Sequence, residues 1–328
     1  GKPVFLVANK LDNPSDEKTL WDFYSLGLGE PRPISATHGH GTGDLLDEVV
    51  AALPEQVEEP AYPEDALRVA IIGRPNVGKS SITNRFAGKN RSIVSDVAGT
   101  TRDALDVVVE REGKRYRLVD TAGMRKRNLV HEDVEYYSLV RGLRAIDEAD
   151  VCLLVVDASE GVTEQDQKVA GLAIERGCAL VILLNKWDLV RTDEQREDVM
   201  MSVARRMTFA PWAPVIRVSA LTGRSLDKVW AVVDRVGAAH AGKISTSALN
   251  NLLAQMREGG HTISKGAKRL RIQYANQTGN CPPAVTFFCN FPELIDDNFK
   301  RFLENRLREN FNLEGTPIRL RFRKKQQS

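Results

Sequence analysis

The sequence predicts an α/β protein. Its centre is a doubly wound, mostly parallel sheet, with a partial copy of the same fold before it and a small α+β unit after it. Three observations carry this. Strand-like runs at Arg68–Ile72, Val151–Val156, Leu180–Leu184 and Val215–Val218 alternate with helical segments, and three of the four are almost wholly apolar, as strands buried on both faces are. A glycine-rich loop, Gly73-Arg-Pro-Asn-Val-Gly78-Lys79-Ser80, joins the first run to a helix. The pattern Asn-Lys-x-Asp occurs twice, at Asn9–Asp12 and Asn185–Asp188, and each copy is followed by a Ser-Ala pair, Ser35-Ala36 and Ser219-Ala220. The loop occurs once.

In chain order, residues 1–53 read as a strand (Val4–Ala8), a helical stretch (Asp16–Ser25), a short strand ending at Ile34 and a closing helix (Gly43–Leu53). This segment is expected to be the C-terminal remnant of a first domain, and Gly1 a cut or processed end. Residues 54–66 set Pro54, Pro60 and Pro63 among Glu55, Glu58, Glu59, Glu64 and Asp65, the composition of a stiff acidic linker. Residues 67–241 form the complete central domain. Its hairpin is expected at Asp106–Glu110 and Arg115–Val119, joined through Glu112-Gly113-Lys114. Residues 242–328 read as helix (Ser245–Glu258), strand (Leu270–Tyr274), strand (Ala284–Cys289), helix (Asp296–Glu309) and final strand (Ile318–Phe322), with mixed-polarity strands.

The 328 residues are 42% hydrophobic and 27% charged, ordinary for a soluble protein. No apolar run approaches the ~20 residues of a membrane helix, and the opening is not a signal peptide. Cys152, Cys178, Cys281 and Cys289 lack paired metal-ligand spacing, so reduced thiols and a cytoplasmic home are expected. The net charge of +2 hides an asymmetry. Residues 241–328 hold 15 Lys/Arg against 7 Asp/Glu, a net +8, leaving 31 against 37, or −6, for the rest. A basic tail on an acidic body suits RNA; the alternative is a solvated basic face.

The loop Gly73–Ser80 is suited to wrap backbone N–H groups around phosphate oxygens, with Asn76, Val77, Gly78 and Ser81 around the same anion. Lys79 supplies a cation to the β- and γ-phosphates, and the Ser80 hydroxyl a ligand for Mg2+. Asp120-Thr-Ala-Gly123 follows the hairpin; Asp120 is placed to hold Mg2+ and the Gly123 N–H to sense the γ-phosphate. In Gly99-Thr-Thr-Arg-Asp103, Thr101 is the preferred metal-shell hydroxyl, with Thr100 the competitor. Asn185, Lys186 and Asp188 read the base. A carboxylate at Asp188 accepts from N1–H and the exocyclic amine of guanine, a donor pair that adenine lacks. Lys186 is expected to lie along the ring, and Ser219-Ala220 to meet the base edge through backbone N–H. The expected ligands are therefore GTP and GDP. The candidates for hydrolysis are Lys79, Thr101 and Gly123. Met124 stands where a water-orienting Gln is common, so hydrolysis is expected to be slow. Asn76 reads either as a turn residue or as an oxygen seating K+ beside the phosphates.

With these motifs in view, the chain resembles the EngA/Der family of tandem-GTPase ribosome-assembly factors. The resemblance rests on Gly73–Ser80, Gly99–Asp103, Asp120–Arg127, Asp157-Ala-Ser-Glu-Gly161 with Glu164-Gln-Asp166, Asn185–Asp188 and Gly315-Thr-Pro-Ile-Arg319. It implies two P-loop GTP-binding domains around a KH-like third domain, and action on a large ribosomal subunit precursor and its rRNA. A cytoplasmic monomer with no membrane partner is expected. Arg321, Arg323, Lys324 and Lys325 are the RNA-contact candidates. The first domain retains only its guanine motif and Ser-Ala segment, so nucleotide binding does not extend to Asn9 and Asp12. No Gly-x-x-Gly follows residue 240, and that loop is what clamps RNA in KH domains. A GTPase component of tRNA modification shares Gly-Thr-Thr-Arg-Asp and the missing Gln, but its folate-type domain and C-terminal cysteine have no match here.

Overall fold

The structure, a computed structural model, describes residues 4–11, 14–52, 63, 65–89, 106–119, 142–258, 264–265 and 268–324. Most of the acidic linker expected at 54–66 lies outside them. The chain divides into two compact units, Gly1–Ala61 and Tyr62–Ser328.

In the first unit, β1 (Val7–Ala8) pairs in parallel with β2 (Arg32–Pro33), and α1 (Thr42–Ala52) closes the segment. Residues Pro14–Leu26 form a 3-10 helix. The strand foreseen from Val4 is confined to Val7–Ala8, because Arg32 and Pro33 are the only described residues across which it pairs. Asn9 Oδ1 accepts the N–H of Ala36 at 3.1 Å, and Lys10 is left-handed with φ 70°.

The second unit begins with a six-stranded sheet. Its strands are β3 (Leu67–Ile72), β4 (Val107–Arg111), β5 (Lys114–Val119), β6 (Val151–Asp157), β7 (Ala179–Asn185) and β8 (Val215–Arg217), in the order β4-β5-β3-β6-β7-β8. All pairs are parallel except β4–β5. Every residue of β6 and β7 is buried, which explains their unbroken apolar character. Alternate residues feed two cores. Cys152, Leu154, Leu180 and Ile182 pack with α3 (Glu164–Arg176) and α4 (Asp193–Arg206). Val151, Leu153, Val181 and Leu183 pack with α2 (Lys79–Lys89) and α5 (Leu226–Ala241). The hairpin turn is shorter than the sequence suggested. Glu112 and Gly113 have φ of 52° and 77°, a two-residue turn that matches strand twist, so Lys114 pairs with Arg111 instead of linking.

The remainder contains α6 (Thr246–Glu258), a short ribbon of β9 (Ser264–Lys265) and β10 (Lys268–Arg269), β11 (Ile272–Gly279), β12 (Ala284–Cys289), α7 (Asp297–Asn310) and β13 (Arg319–Lys324). The sheet order is β11-β12-β13, with β11 antiparallel and β13 parallel to β12. β11 runs on past the expected Tyr274 to Gly279. Gln273, Asn276, Gln277 and Thr278 mask its inward positions Ile272 and Ala275, and register shifts break the alternation. β13 likewise extends through Arg323 and Lys324, which pair with Phe288 and Cys289. Leu249, Leu253, Phe287, Leu303 and Leu307 fill the core beneath this sheet.

The segment between α7 and β13 fastens this sheet to the six-stranded one. Gly315 O accepts the N–H of Leu180 at 2.7 Å, at the start of β7, and Gly315 N–H donates to Trp212 O at 3.1 Å. Gly315 has φ 67°, and a Cβ there would lie 2.5 Å from Val236 Cγ2. Thr316 is fully buried with its Oγ1 2.8 Å from His240 Nδ1, Arg235 pairs with Glu314, and Arg308 stacks on Trp212 at 4.6 Å.

Candidate functional site

The loop that leaves β3 is shaped by backbone crowding. Gly73 has φ 140°, and a Cβ on it would lie 2.5 Å from Val155 O; Gly78 has φ 100°, and its Cβ would lie 2.2 Å from Asn185 Nδ2. Neither site has room for a side chain. Between them the exposed Asn76 is left-handed, with φ 64°, a conformation Asn tolerates better than most residues. Lys79 opens α2 and turns back over the loop, its Nζ donating to Gly73 O and Arg74 O, both at 2.7 Å. Ser80 and Ser81 occupy the same first turn, where unpaired helix N–H groups and the dipole favour an anion.

Arg74 anchors the loop from outside. Its guanidinium lies 2.6 Å from Glu160 and 3.6 Å from Asp166. Asp166 is fully buried and completes a capping box with Thr163 at the start of α3.

The end of β7 builds a second cluster. Asn185 Nδ2 donates to Val77 O at 2.8 Å, while its Oδ1 accepts the N–H of Ala220 at 2.9 Å. The Ala220 N–H foreseen for a base edge is thus bonded to Asn185. The first unit repeats this local design: Asn9 takes Ala36 as Asn185 takes Ala220, and a left-handed Lys follows each Asn. Lys186 reaches Asp157 Oδ2 at 2.5 Å. Burial pushes the Asp157 carboxyl up, but the ammonium of Lys186 and the hydroxyl and N–H of Ser159 outweigh it and hold the group below its ordinary range. Asp188 Oδ1 is buried without a hydrogen-bond partner, an acceptor suited to a ligand's donors. Ser219 is fully buried, and its Oγ accepts the N–H of Thr222 at 3.1 Å.

Three parts of this site escaped the motif reading: Arg85, Asp157 as the partner of Lys186, and the Arg74–Asp166 anchor. Arg85, on α2, donates from Nε to Ala220 O at 3.0 Å and from Nη2 to Leu221 O. It hooks the loop after β8 onto the phosphate-loop helix. No motif marks it, since its partners lie 135 and 136 residues away.

These groups line a cavity of about 490 Å3 that includes Gly78, Ser81, Arg85, Asn185, Lys186, Asp188 and Ala220. A second cavity, about 350 Å3, shares only Arg85 with it and is walled by Phe86, Val109, Arg111 and Trp230. It holds none of the motif residues, and the first is therefore the candidate ligand site. Thr100, Thr101, Asp120, Gly123 and Met124 lie outside the described residues, as do Arg125, Lys126, Arg127, Asp12 and Lys325. Arg321, Arg323 and Lys324 lie exposed on β13, remote in sequence from the loop.

A glycine-rich anion loop, an Asn-Lys-x-Asp turn and a parallel sheet that brings both to the carboxyl ends of its strands define a P-loop GTPase. The family described as "50S ribosome-binding GTPase" matches residues 68–186, and "KH-domain-like of EngA bacterial GTPase enzymes, C-terminal" matches residues 243–323. The chain is 51% identical over 326 residues to "GTPase Der" of Heliobacterium modesticaldum, covering 99% of this chain and 74% of that one. It is 46% identical to "GTPase Der" of Desulfitobacterium hafniense over the same shares. With "GTPase Der" of Bacillus thuringiensis it shares 46% over 97% of this chain and 73% of the relative. The chain belongs to the Der (EngA) family of GTPases. It binds GTP and GDP, and it hydrolyses GTP. Among the described residues, no helix is long and apolar enough to cross a membrane.

Proposed function

We propose that this GTPase acts as a nucleotide-controlled switch in large ribosomal subunit assembly, as a cytoplasmic monomer that contacts the precursor and its rRNA. The single observation that carries the reading is the Leu180–Gly315 bond. It ties the strand ending in Asn185 to the chain entering the basic strand β13. The family description that names 50S ribosome binding points the same way. We divide the chain at 1–53, 54–66, 67–241 and 242–328, as a segment that repeats the guanine-motif end of a GTPase domain, an acidic linker, a GTPase domain with all its motifs and the basic KH-like domain.

Within the site, Gly73, Asn76, Val77, Gly78, Ser80 and Ser81 hold the phosphates through the loop and the first turn of α2. Lys79 exchanges its two carbonyl partners for phosphate oxygens. Asn185 fixes the two loops against each other, Lys186 covers the base, and the unpaired Asp188 carboxylate oxygen takes the guanine donors. Ser219 and Ala220 shape the base edge of the pocket. Ser80, Thr101 and Asp120 are hard oxygen donors of the kind that suits Mg2+, which neutralises charge on the phosphates when bound. Gly123 reports the γ-phosphate, and Asn76 seats K+.

The test is co-sedimentation with large subunits and their precursors, with GTP, with GDP and without nucleotide, over a range of salt. A GTP-dependent, salt-sensitive association is expected. Equal sedimentation in all three nucleotide conditions overturns the switch.

A further inference from the structure

The outer face of the β11-β12-β13 sheet carries a row of side chains that the core does not use. Phe287 and Phe322 stack at 5.6 Å on the inner face, and Ala275, paired with Phe287, is fully buried beside them. The pleat therefore turns their neighbours outward. Register then sets Tyr274, Phe288 and Arg323 in one row across the three strands. In the next row, of Asn276, Thr286 and Arg321, Thr286 is buried against Thr278 and Arg321 is exposed, so the open part of the face is the first row together with Arg321. Tyr274 is 42% exposed, and its ring lies 5.9 Å from that of Phe288. Neither ring belongs to the hydrophobic cluster beneath the sheet.

Charge on this face has one sign. Arg321 and Arg323 are exposed, and among the described residues neither is paired with a carboxylate. No acidic residue occupies an outward position of the three strands. Among the described residues β13 is an edge strand of this sheet. Two adjoining aromatic rings flanked by such guanidinium groups match the chemistry of unstacked bases on a phosphate backbone. A duplex keeps its base faces stacked internally and cannot use the rings.

We propose that this sheet face binds single-stranded RNA, with Tyr274 and Phe288 stacking on bases and Arg321 and Arg323 contacting the flanking phosphates. This rests on the RNA-binding reading above and adds the mode of contact. The Gly-x-x-Gly loop that serves other KH domains is not required by it.

The test measures binding of a fluorescent single-stranded RNA octamer, an abasic octamer of the same backbone, and a duplex, each against salt. The full chain is compared with Tyr274→Ala, Tyr274→Phe and Arg321→Ala/Arg323→Ala. Tyr274→Ala is expected to weaken the octamer by about tenfold, to leave the abasic strand and duplex unchanged, and to keep the salt slope. Tyr274→Phe should bind as the parent does, and the double arginine variant should lower the slope for every RNA. GDP affinity, equal in all variants, checks that the fold is intact. If Tyr274→Ala binds the octamer as tightly as the parent, or weakens the abasic strand equally, base stacking here is overturned while RNA binding stands. If the parent chain binds no RNA, both readings fall and a protein surface is the occupant.

Discussion

The Nδ2 of Asn185 donates to the carbonyl of Val77 across 108 residues of sequence, at 2.8 Å, while Oδ1 of the same amide accepts from Ala220. One side chain thus clamps the phosphate loop, the end of β7 and the Ser-Ala loop. Gly78 lies so close to this amide that a Cβ would meet it at 2.2 Å. The two motifs are a single packed object.

Asn185→Ala removes both bonds and leaves a buried carbonyl and a buried N–H without this partner. GDP affinity is expected to fall by at least about tenfold, measured by titration with a fluorescent GDP analogue. Unchanged affinity would show that the two loops hold their positions without the clamp.

Asp188→Asn replaces an acceptor with an amide that offers a donor. Xanthine nucleotides should then bind better than guanine nucleotides, which should lose about a hundredfold or more. Competition between GDP and XDP reads this directly. The unmutated chain should reject ATP.

Turnover should be slow and faster in KCl than in NaCl at equal ionic strength, because Met124 offers no group to orient water and the exposed Asn76 carries an amide oxygen at the loop's left-handed bend. Asn76→Ala should remove the difference between the salts. Identical rates in all four measurements eliminate the cation from the mechanism.

Burial against Thr316 holds the His240 imidazolium below its ordinary pKa of 6.5, with Asp150 opposing and Arg68 reinforcing the shift. Since the unfolded chain takes up this proton more readily, the stabilisation is complete above pH 6.5 and is lost as pH falls below it. Urea unfolding followed between about pH 7 and pH 5 should show a decline that His240→Gln reduces, with a ceiling of about 1.4 kcal/mol per pH unit for one proton.

Gly315→Ala strains a left-handed backbone and drives a methyl group against Val236. A loss of about 1–3 kcal/mol is expected, again from urea unfolding. Gly171→Ala is the reference substitution. Its Cβ would enter open space on α3, where alanine is the better helix former, so no loss is expected.

The two loops of the candidate site were legible in the chain because each is local. Gly73 to Ser80 and Asn185 to Asp188 are contiguous, and each turn imposes its own residue types: glycine where backbone approaches backbone, and an amide at Asn185 that bridges the two loops. The two-sided burial of β6 and β7 is written in their unbroken apolar runs. β11 was less legible, since only Ile272 and Ala275 mark its inner face and register shifts disturb their spacing.

Contacts that depend on distant strands meeting in one register left no mark in the linear order of residues. Arg85 reads as a surface helix residue until α2 and the loop after β8 converge, and it then bonds Ala220 and Leu221. Gly315 reads as a turn until its carbonyl meets Leu180. The sheet, the phosphate loop and the guanine motif could be read from the chain, because short-range sterics and burial periodicity require them. Which side chains bind those pieces together, and that Tyr274, Phe288 and Arg323 share one face, depends on strand order and register, which emerge only when the strands pack.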